Sequence, residues 1–359
     1  MKFTNLSFLI KPSSSMCNLI CSYCFYADVS NHRAIKNYGF LSKESANQLI
    51  DKAIASTYNY STITFGFQGG EPTLIGLDFF QYFIEQVNQK RSNRTINYAI
   101  QTNGTLLDES WIKFFKKHNF MIGISLDGYQ ENHDQFRYNA QKQGQYKRVL
   151  NAIGLLKEHE IPFNILTVLT KQLSQEPEKL YHYYKKQNFE YIQLIPCLPD
   201  FDKIDETNSA LTPKDFYNFY KIFYRLWKED NQPFQVSLFN DILNMFAGYP
   251  PLTCGMLGNC ALHFIVEGDG SVYPCDFYVL DQYKIGNILE DSIEAMIQTK
   301  NAQTFLAETK RMSKLCQACK FKGMCNGNCK RMNVVYFDKN YCGYQLLLED
   351  MFKDLHKMV

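Results

Sequence analysis

Six short runs rich in apolar, β-branched and aromatic residues recur through the first two thirds of the chain: 5–10 (NLSFLI), 62–67 (TITFGF), 97–101 (NYAIQ), 121–125 (MIGIS), 163–169 (FNILTVL) and 191–195 (YIQLI). Between them, residues 43–56, 77–90, 108–118, 145–159 and 175–187 carry apolar side chains at helical spacing. Strand and helix patterns that alternate in this way assemble as βα units around a parallel sheet. Six units predict an α/β fold, a partial (β/α)6 barrel of the TIM type that stops short of the closed eight. A further helix is predicted over 212–229, with Thr212 as its cap, Pro213 in the first turn and Asp215 at the capping-box position.

At 359 residues the chain exceeds the roughly 250–300 at which a single core stops growing, so two domains are expected. Past residue 250 the composition turns rich in cysteine and glycine. The expected division is therefore a barrel over 1–250 and a cysteine-rich domain over 251–359.

The formal net charge is +2, which gives no electrostatic footprint for nucleic acid or an anionic membrane. No apolar run reaches the roughly 18–20 residues of a membrane span, and the opening MKFTNLSFLIK lacks a small-residue cleavage site. A cytoplasmic protein with a small-molecule or peptide partner is expected. Twelve cysteines in a large chain without a signal peptide read as reduced metal ligands rather than as disulfides.

The chemistry-bearing motifs each follow a strand. A cysteine loop comes after the first, Gln68-Gly69-Gly70-Glu71-Pro72 after the second, Gln101-Thr102-Asn103-Gly104 at the third and Ser125-Leu126-Asp127-Gly128 at the fourth. Parallel barrels carry their chemistry at that carboxyl end. Cys17, Cys21 and Cys24 stand at Cys-x3-Cys-x2-Cys. Three thiolates leave a cubane cluster one iron short of ligands, and an open iron can bind and activate a small molecule. Three buried thiols or part of a zinc site are the competing readings, although zinc sites usually pair their thiolates as two Cys-x2-Cys units.

This spacing resembles that of the radical S-adenosylmethionine (radical SAM) enzymes. The resemblance implies that the open iron is chelated by the amino and carboxylate groups of S-adenosylmethionine, and that an electron from the cluster releases a 5′-deoxyadenosyl radical. It also implies cofactor contacts at matching positions. Tyr23 would lie against the adenine, and Gly70, within a GGEP-like turn completed by Glu71 and Pro72, would meet the methionyl amino group. Ser125 and Arg137 would make polar contacts near the ribose and the methionine carboxylate, and Leu198 would take the adenine side. A guanidinium suits a carboxylate because it offers a two-pronged fork of donors.

The other cysteines are Cys197, then Cys254, Cys260 and Cys275, then Cys316, Cys319, Cys325, Cys329 and Cys342. Nine residues, Gly270 and four more separate Cys260 from Cys275, and the later group opens Cys-x2-Cys-x5-Cys-x3-Cys. Structural zinc could use the same thiolates. The pattern resembles the SPASM extension of peptide-modifying radical enzymes, which implies two auxiliary four-iron clusters and three such clusters in all. By that resemblance Cys254, Cys260, Cys275 and Cys329 hold one, and Cys316, Cys319, Cys325 and Cys342 hold the other. Clusters with four protein ligands have no open iron and suit electron transfer. Cys197 is left over as a packed thiol.

The chain as a whole, through Ile10-Lys11-Pro12, Phe67-Gln68-Gly69-Gly70-Glu71-Pro72, Tyr273-Pro274-Cys275-Asp276-Phe277-Tyr278 and Val279 to Ile288, is similar to the anaerobic sulfatase-maturating enzymes. The resemblance implies oxidation of a cysteine or serine in a sulfatase Cys/Ser-x-Pro-x-Arg motif to Cα-formylglycine. Asp276 would be the base, the auxiliary clusters the electron exit, an unfolded or nascent sulfatase polypeptide the substrate and an external donor the source of electrons. Gln68 and Tyr26 are candidate substrate contacts. A maturase of ribosomal peptides, installing thioether or carbon–carbon cross-links, is the alternative. Such enzymes often carry a leader-binding domain ahead of a barrel that here opens within ten residues.

Overall fold

In the computed structural model, residues 2–202 and 209–355 are described. They gather into two compact units: 1–125, 137–163 and 261–308 form the first, and 126–136, 164–260 and 309–359 the second. The strands are β1 (Phe3–Ile10), β2 (Thr57–Phe67), β3 (Thr95–Thr102), β4 (Met121–Ser125), β5 (Phe163–Leu169), β6 (Tyr191–Pro196), β7 (Gln235–Val236), β8 (Phe264–Val266), β9 (Ser271–Tyr273) and β10 (Gly286–Asn287). The principal helices are α1 (Phe25–Asn31), α2 (Lys43–Ala55), α3 (Leu77–Lys90), α4 (Glu109–Lys117), α5 (Gln130–Phe136), α6 (Tyr146–Glu158), α7 (Pro177–Lys186), α8 (Pro213–Glu229) and α9 (Ser237–Phe246).

In the first unit, β1 lies between β2 and β8 and runs parallel to both, and β3 and β4 continue the parallel order beyond β2. β8, β9 and β10 form an antiparallel extension. Ile10 is in register with Phe67 and with Val266, and Phe67 with Ile100. Four strands therefore finish level, and the loops that follow them emerge along one edge. Alternation explains which faces are covered: Leu6, Phe8 and Ile10 are 4%, 2% and 0% exposed. Phe67 packs its ring 4.8 Å from Phe80 and 5.2 Å from Phe83, and Phe65 sits 5.1 Å from Phe83. Truncating any of these rings to alanine would cost about 3–5 kcal/mol. Ser42 caps α2 by accepting from Ser45 N, and Asp108 caps α4 by accepting from Ser110 N and Trp111 N.

In the second unit β5, β6 and β7 are parallel. α8 follows the expected signals closely. Thr212 and Asp215 form a reciprocal capping box, with Pro213 at the first turn. Its buried positions Phe216, Phe219, Tyr220, Phe223, Tyr224 and Trp227 recur at helical spacing and leave no room for a polar residue on that face. Trp227 Nε1 donates to Phe234 O at 2.7 Å, so its one polar atom is satisfied.

The six expected strands and the five helical stretches all form, with ends shifted by a few residues. β2 begins at Thr57, five residues before the expected start. The extension is irregular: Tyr60 has φ +65° and the pairing with β1 slips between Phe3 and Asn5. An exposed Tyr58-Asn59-Tyr60 stretch with a bulge has no alternating pattern to read. α1, α5, α9, β7–β10 and the thirteen-residue helix Gly343–Leu355 lie outside the expected elements; apart from that last helix they are runs of two to ten residues, which carry too little periodicity.

Candidate active site

Cys17, Cys21 and Cys24 occupy the loop between β1 and α1, all within the first unit. Cys24 is the residue before the first turn of α1, and its N–H donates to Cys21 O at 3.2 Å. Leu19 N donates to Cys17 Sγ at 3.4 Å, and Asn103 Nδ2 approaches the same sulfur at 3.8 Å. Cys17 keeps an exposed edge, yet packing around its sulfur, with Glu71 and the other two thiols, pushes it up to about 12. Burial also raises Cys24, against the pull of Arg137 and Lys11. Soft donors crowded so that proton loss is unfavourable fit a cationic iron–sulfur group, whose charge would favour the thiolates.

The turn after β2 is tied to this loop. Glu71 N donates to Met16 O at 2.8 Å. Gly70 has φ +52°, and a Cβ there would stand 2.0 Å from the Met16 carbonyl oxygen. Its missing side chain is therefore required first by the protein's own backbone. Glu71 is fully buried. Its Oε1 accepts from Thr73 N at 3.1 Å, Thr73 Oγ1 at 2.7 Å and Thr102 Oγ1 at 2.6 Å, and its Oε2 accepts from Asn103 N at 2.7 Å. Burial raises its pKa, and these four donors work the other way.

The other expected cofactor contacts divide between the units. Arg137 is buried, with Nη1 4.0 Å from Cys21 Sγ and its guanidinium 5.5 Å from the Tyr23 ring centre, so Tyr23, Arg137 and the cysteine loop are one group. Ser125 closes β4 and accepts from Gln101 Nε2 at 3.1 Å. Leu198 belongs to the second unit, just past β6, where Cys197 Sγ lies 3.9 Å from its carbonyl oxygen. Burial pushes the Cys197 thiol up to about 12, as expected of a packed cysteine.

Asp276 follows Cys275 after β9, and its side chain is 19% exposed. Lys11 Nζ lies 2.5 Å from its Oδ1, and Gln68 Nε2 donates to its Oδ2 at 3.0 Å. The ring of Phe277 packs 5.2 Å from that of Phe25 in α1, which brings the Asp276 turn beside the helix that starts at Cys24. Burial holds His263 below its usual range, and Asp276 works against that shift. Gln68, expected to touch substrate, holds the candidate base. Tyr26 is 4% exposed; its ring lies under Lys11, and its hydroxyl donates to Glu267, which also accepts from Arg33 Nη1 at 2.8 Å. Lys11, Glu267 and Arg33 were missed as site residues. Lys11-Pro12 stood in the sequence only as part of a longer match, and nothing local says which carboxylate a lysine will meet.

In the second unit, Cys316, Cys319, Cys325 and Cys342 line one cavity whose other walls include Leu315, Phe321, Phe337, Tyr344 and Leu348. Burial and the three neighbouring thiols push Cys342 up to about 11. Cys254 is raised by burial and by nearby Cys329 and Cys260, and Cys329 N donates to Gly255 O at 2.8 Å. Lys310 Nζ donates to Gly258 O and, at 3.4 Å, to Asn328 O, between these two groups of thiols. Cys275 lies in the first unit. Four thiols around a largely apolar pocket match the donor number and softness of a four-iron cluster.

The radical SAM superfamily profile matches residues 12–184, and that of an iron–sulfur cluster-binding SPASM domain matches 258–320. The cysteine-type anaerobic sulfatase-maturating enzyme of Clostridium novyi is 41% identical over 333 residues, covering 91% of this chain and 88% of its own. The serine-type anaerobic sulfatase-maturating enzyme of Bacteroides thetaiotaomicron is 29% identical, covering 90% and 82%. The solved structure of native anSMEcpe with bound AdoMet and Cp18Cys peptide superposes with a TM-score of 0.89 at 34% identity, covering 99% of this chain and 98% of its own. The chain belongs to the anaerobic sulfatase-maturating enzymes, radical SAM enzymes that join a partial (β/α)6 barrel to a SPASM domain.

Proposed function

We propose that this enzyme oxidises a cysteine of a sulfatase polypeptide, within a Cys-x-Pro-x-Arg motif, to Cα-formylglycine. The higher identity to the cysteine-type relative favours cysteine over serine as the residue modified. Cys17, Cys21 and Cys24 would hold a four-iron cluster, and Tyr23, Gly70, Ser125, Arg137 and Leu198 would hold S-adenosylmethionine. Bound there, cluster and cofactor together supply a carbon radical able to remove a hydrogen atom from the substrate Cβ.

Asp276 accepts the substrate thiol proton. The hydrogen atom and the proton account for both hydrogens lost by the Cβ–SH group, and one electron remains, which auxiliary iron–sulfur centres would accept. Cys254, Cys260, Cys275 and Cys329 hold the first of these, and Cys316, Cys319, Cys325 and Cys342 the second. Water then replaces sulfur in the resulting thioaldehyde, releasing sulfide and leaving the aldehyde. An external donor supplies the starting electron.

The division falls at 250/251, with the barrel chemistry before it and the auxiliary clusters after it. Among the described residues no helix is long and apolar enough to cross a membrane, which supports action on the polypeptide in the cytoplasm. The observation that carries the reading is the fixed carboxylate of Asp276, gripped on both oxygens beside the α1 helix that begins at Cys24. The test is to incubate reduced protein and S-adenosylmethionine with a Cys-x-Pro-x-Arg peptide under anoxic conditions. Mass spectrometry is expected to find the aldehyde; a cross-linked or unchanged peptide would overturn the reading.

A further inference from the structure

Lys11 is the residue immediately after β1 and is fully buried. A lysine ammonium with no exposure needs compensation, because taking a charge from water is costly without a partner. Among the described residues its Nζ donates no well-formed hydrogen bond; its contacts are the ion pair with Asp276 Oδ1 at 2.5 Å and the face of the Tyr26 ring, 3.7 Å from the centre. The neighbouring carboxylate of Glu267 is already engaged by Arg33 and by the Tyr26 hydroxyl. Asp276 is the carboxylate within ion-pair distance of Lys11, whose charge also pulls on Glu267 and Cys24.

The chain makes room for this arrangement. Gly69 has φ +107°, and a Cβ there would lie 2.7 Å from both Cγ and Nζ of Lys11. The lysine stem therefore runs through the space that any other residue at 69 would fill. Lys11 N donates to Val266 O at 2.8 Å, which anchors its backbone to β8. With Lys11 on Oδ1 and Gln68 Nε2 on Oδ2, both oxygens of Asp276 are held from the side of the sheet edge. Two fixed partners on one carboxylate define its plane, and only its outer edge remains for a substrate proton.

We propose that Lys11 is a positioning residue for Asp276: its ammonium fixes the carboxylate in the orientation that receives the substrate proton, and Gly69 is the clearance that lets it do so. The inference rests on the reading of Asp276 as the base. Loss of Lys11 then has a specific signature. Radical formation continues, because Lys11 is not among the residues that would hold the cluster or the cofactor, but hydrogen abstraction is no longer matched by proton removal.

The experiment compares Lys11→Met, Lys11→Gln, Asp276→Asn and the double variant Lys11→Met/Asp276→Asn in reconstituted enzyme. Iron content, the electron paramagnetic resonance signal of the reduced cluster with S-adenosylmethionine, deoxyadenosine and peptide aldehyde are all measured. Lys11→Met is expected to keep wild-type iron and signal and to form deoxyadenosine within about twofold. Aldehyde should fall roughly 10- to 100-fold, the scale of a misplaced catalytic group. The double variant should lose no more than Asp276→Asn alone, because both changes remove one unit. Lys11→Gln, which is one bond shorter but keeps a polar donor without the charge, tests the same point if the Met variant does not fold.

Full aldehyde yield from Lys11→Met or Lys11→Gln, with Asp276→Asn inactive, overturns the Lys11 inference and leaves the base in place. Full yield from Asp276→Asn overturns the base reading itself. A parallel fall in deoxyadenosine and aldehyde with an altered cluster signal, or additive losses in the double variant, assigns Lys11 to the fold alone and also overturns the inference.

Discussion

Glu71 and Asn103 are joined by a 2.7 Å hydrogen bond from the Asn103 N–H to Glu71 Oε2, and the Asn103 carboxamide then reaches to 3.8 Å from Cys17 Sγ. A buried carboxylate after β2 thus sets the position of a loop residue after β3, and that residue touches Cys17, the first of the three candidate cluster cysteines. The loops after three consecutive strands are tied together at one edge through the side chains of Glu71 and Asn103.

Replacing Glu71 with Ala leaves Thr73, Thr102 and Asn103 N as buried donors without an acceptor. The expected cost is about 3 kcal/mol of stability. Chemical denaturation of the anoxic protein measures it, and unchanged stability would show that the network bears no weight.

Gly70→Ala forces a methyl group against the Met16 carbonyl at a backbone angle that side chains disfavour. The loop carrying Cys17 must move, while the thiols of the second unit are untouched. Reconstituted wild-type protein should hold about twelve iron atoms per chain, and this variant about eight. Twelve in both would place Gly70 outside the machinery of the first cluster.

Glu267 links acidity to stability. Burial pushes its carboxyl from 4.5 up to about 7, against the pull of Lys11 and the Ser14 and Gly268 hydrogen bonds. The folded protein therefore holds this proton more tightly than the unfolded chain. The stability it contributes is complete below about pH 4.5 and declines as pH rises through about 7, by roughly 3 kcal/mol. Glu267→Gln should flatten that decline in unfolding curves recorded between pH 4.5 and 8. An identical slope in both proteins would contradict it.

Cys342→Ala removes one wall of the thiol-lined cavity in the second unit. The protein should lose about four iron atoms and continue to form deoxyadenosine while aldehyde production drops. Elemental analysis with product assay checks both halves. A variant with full iron and full product would remove Cys342 from the ligand set.

The long elements up to residue 229 were legible because each buries a stripe of its own sequence; the helix Gly343–Leu355, which also does, was not expected. α8 shows this best: its cap, its proline and its aromatic face are all local features. Short elements such as the β8–β9 hairpin, three residues a strand, depend on neighbours that the local pattern does not reveal. The site divides in the same way. Cys17, Cys21 and Cys24 are recognisable by spacing, and Asp276 by its place beside Cys275. The lock on Asp276 is not, since Lys11, Gln68 and Asp276 meet only after β1, β2 and β8 have aligned their ends. The sequence position of Gln68 says where it emerges and not that it meets Asp276.

The most direct test of the account is a single anoxic turnover experiment. Dithionite-reduced, reconstituted enzyme is mixed with S-adenosylmethionine and a Cys-x-Pro-x-Arg peptide, and deoxyadenosine, methionine and peptide mass are followed together. The account predicts deoxyadenosine and methionine in equal amounts, with aldehyde appearing in step. Intact S-adenosylmethionine, or cleavage with the peptide cysteine left unoxidised, would contradict it.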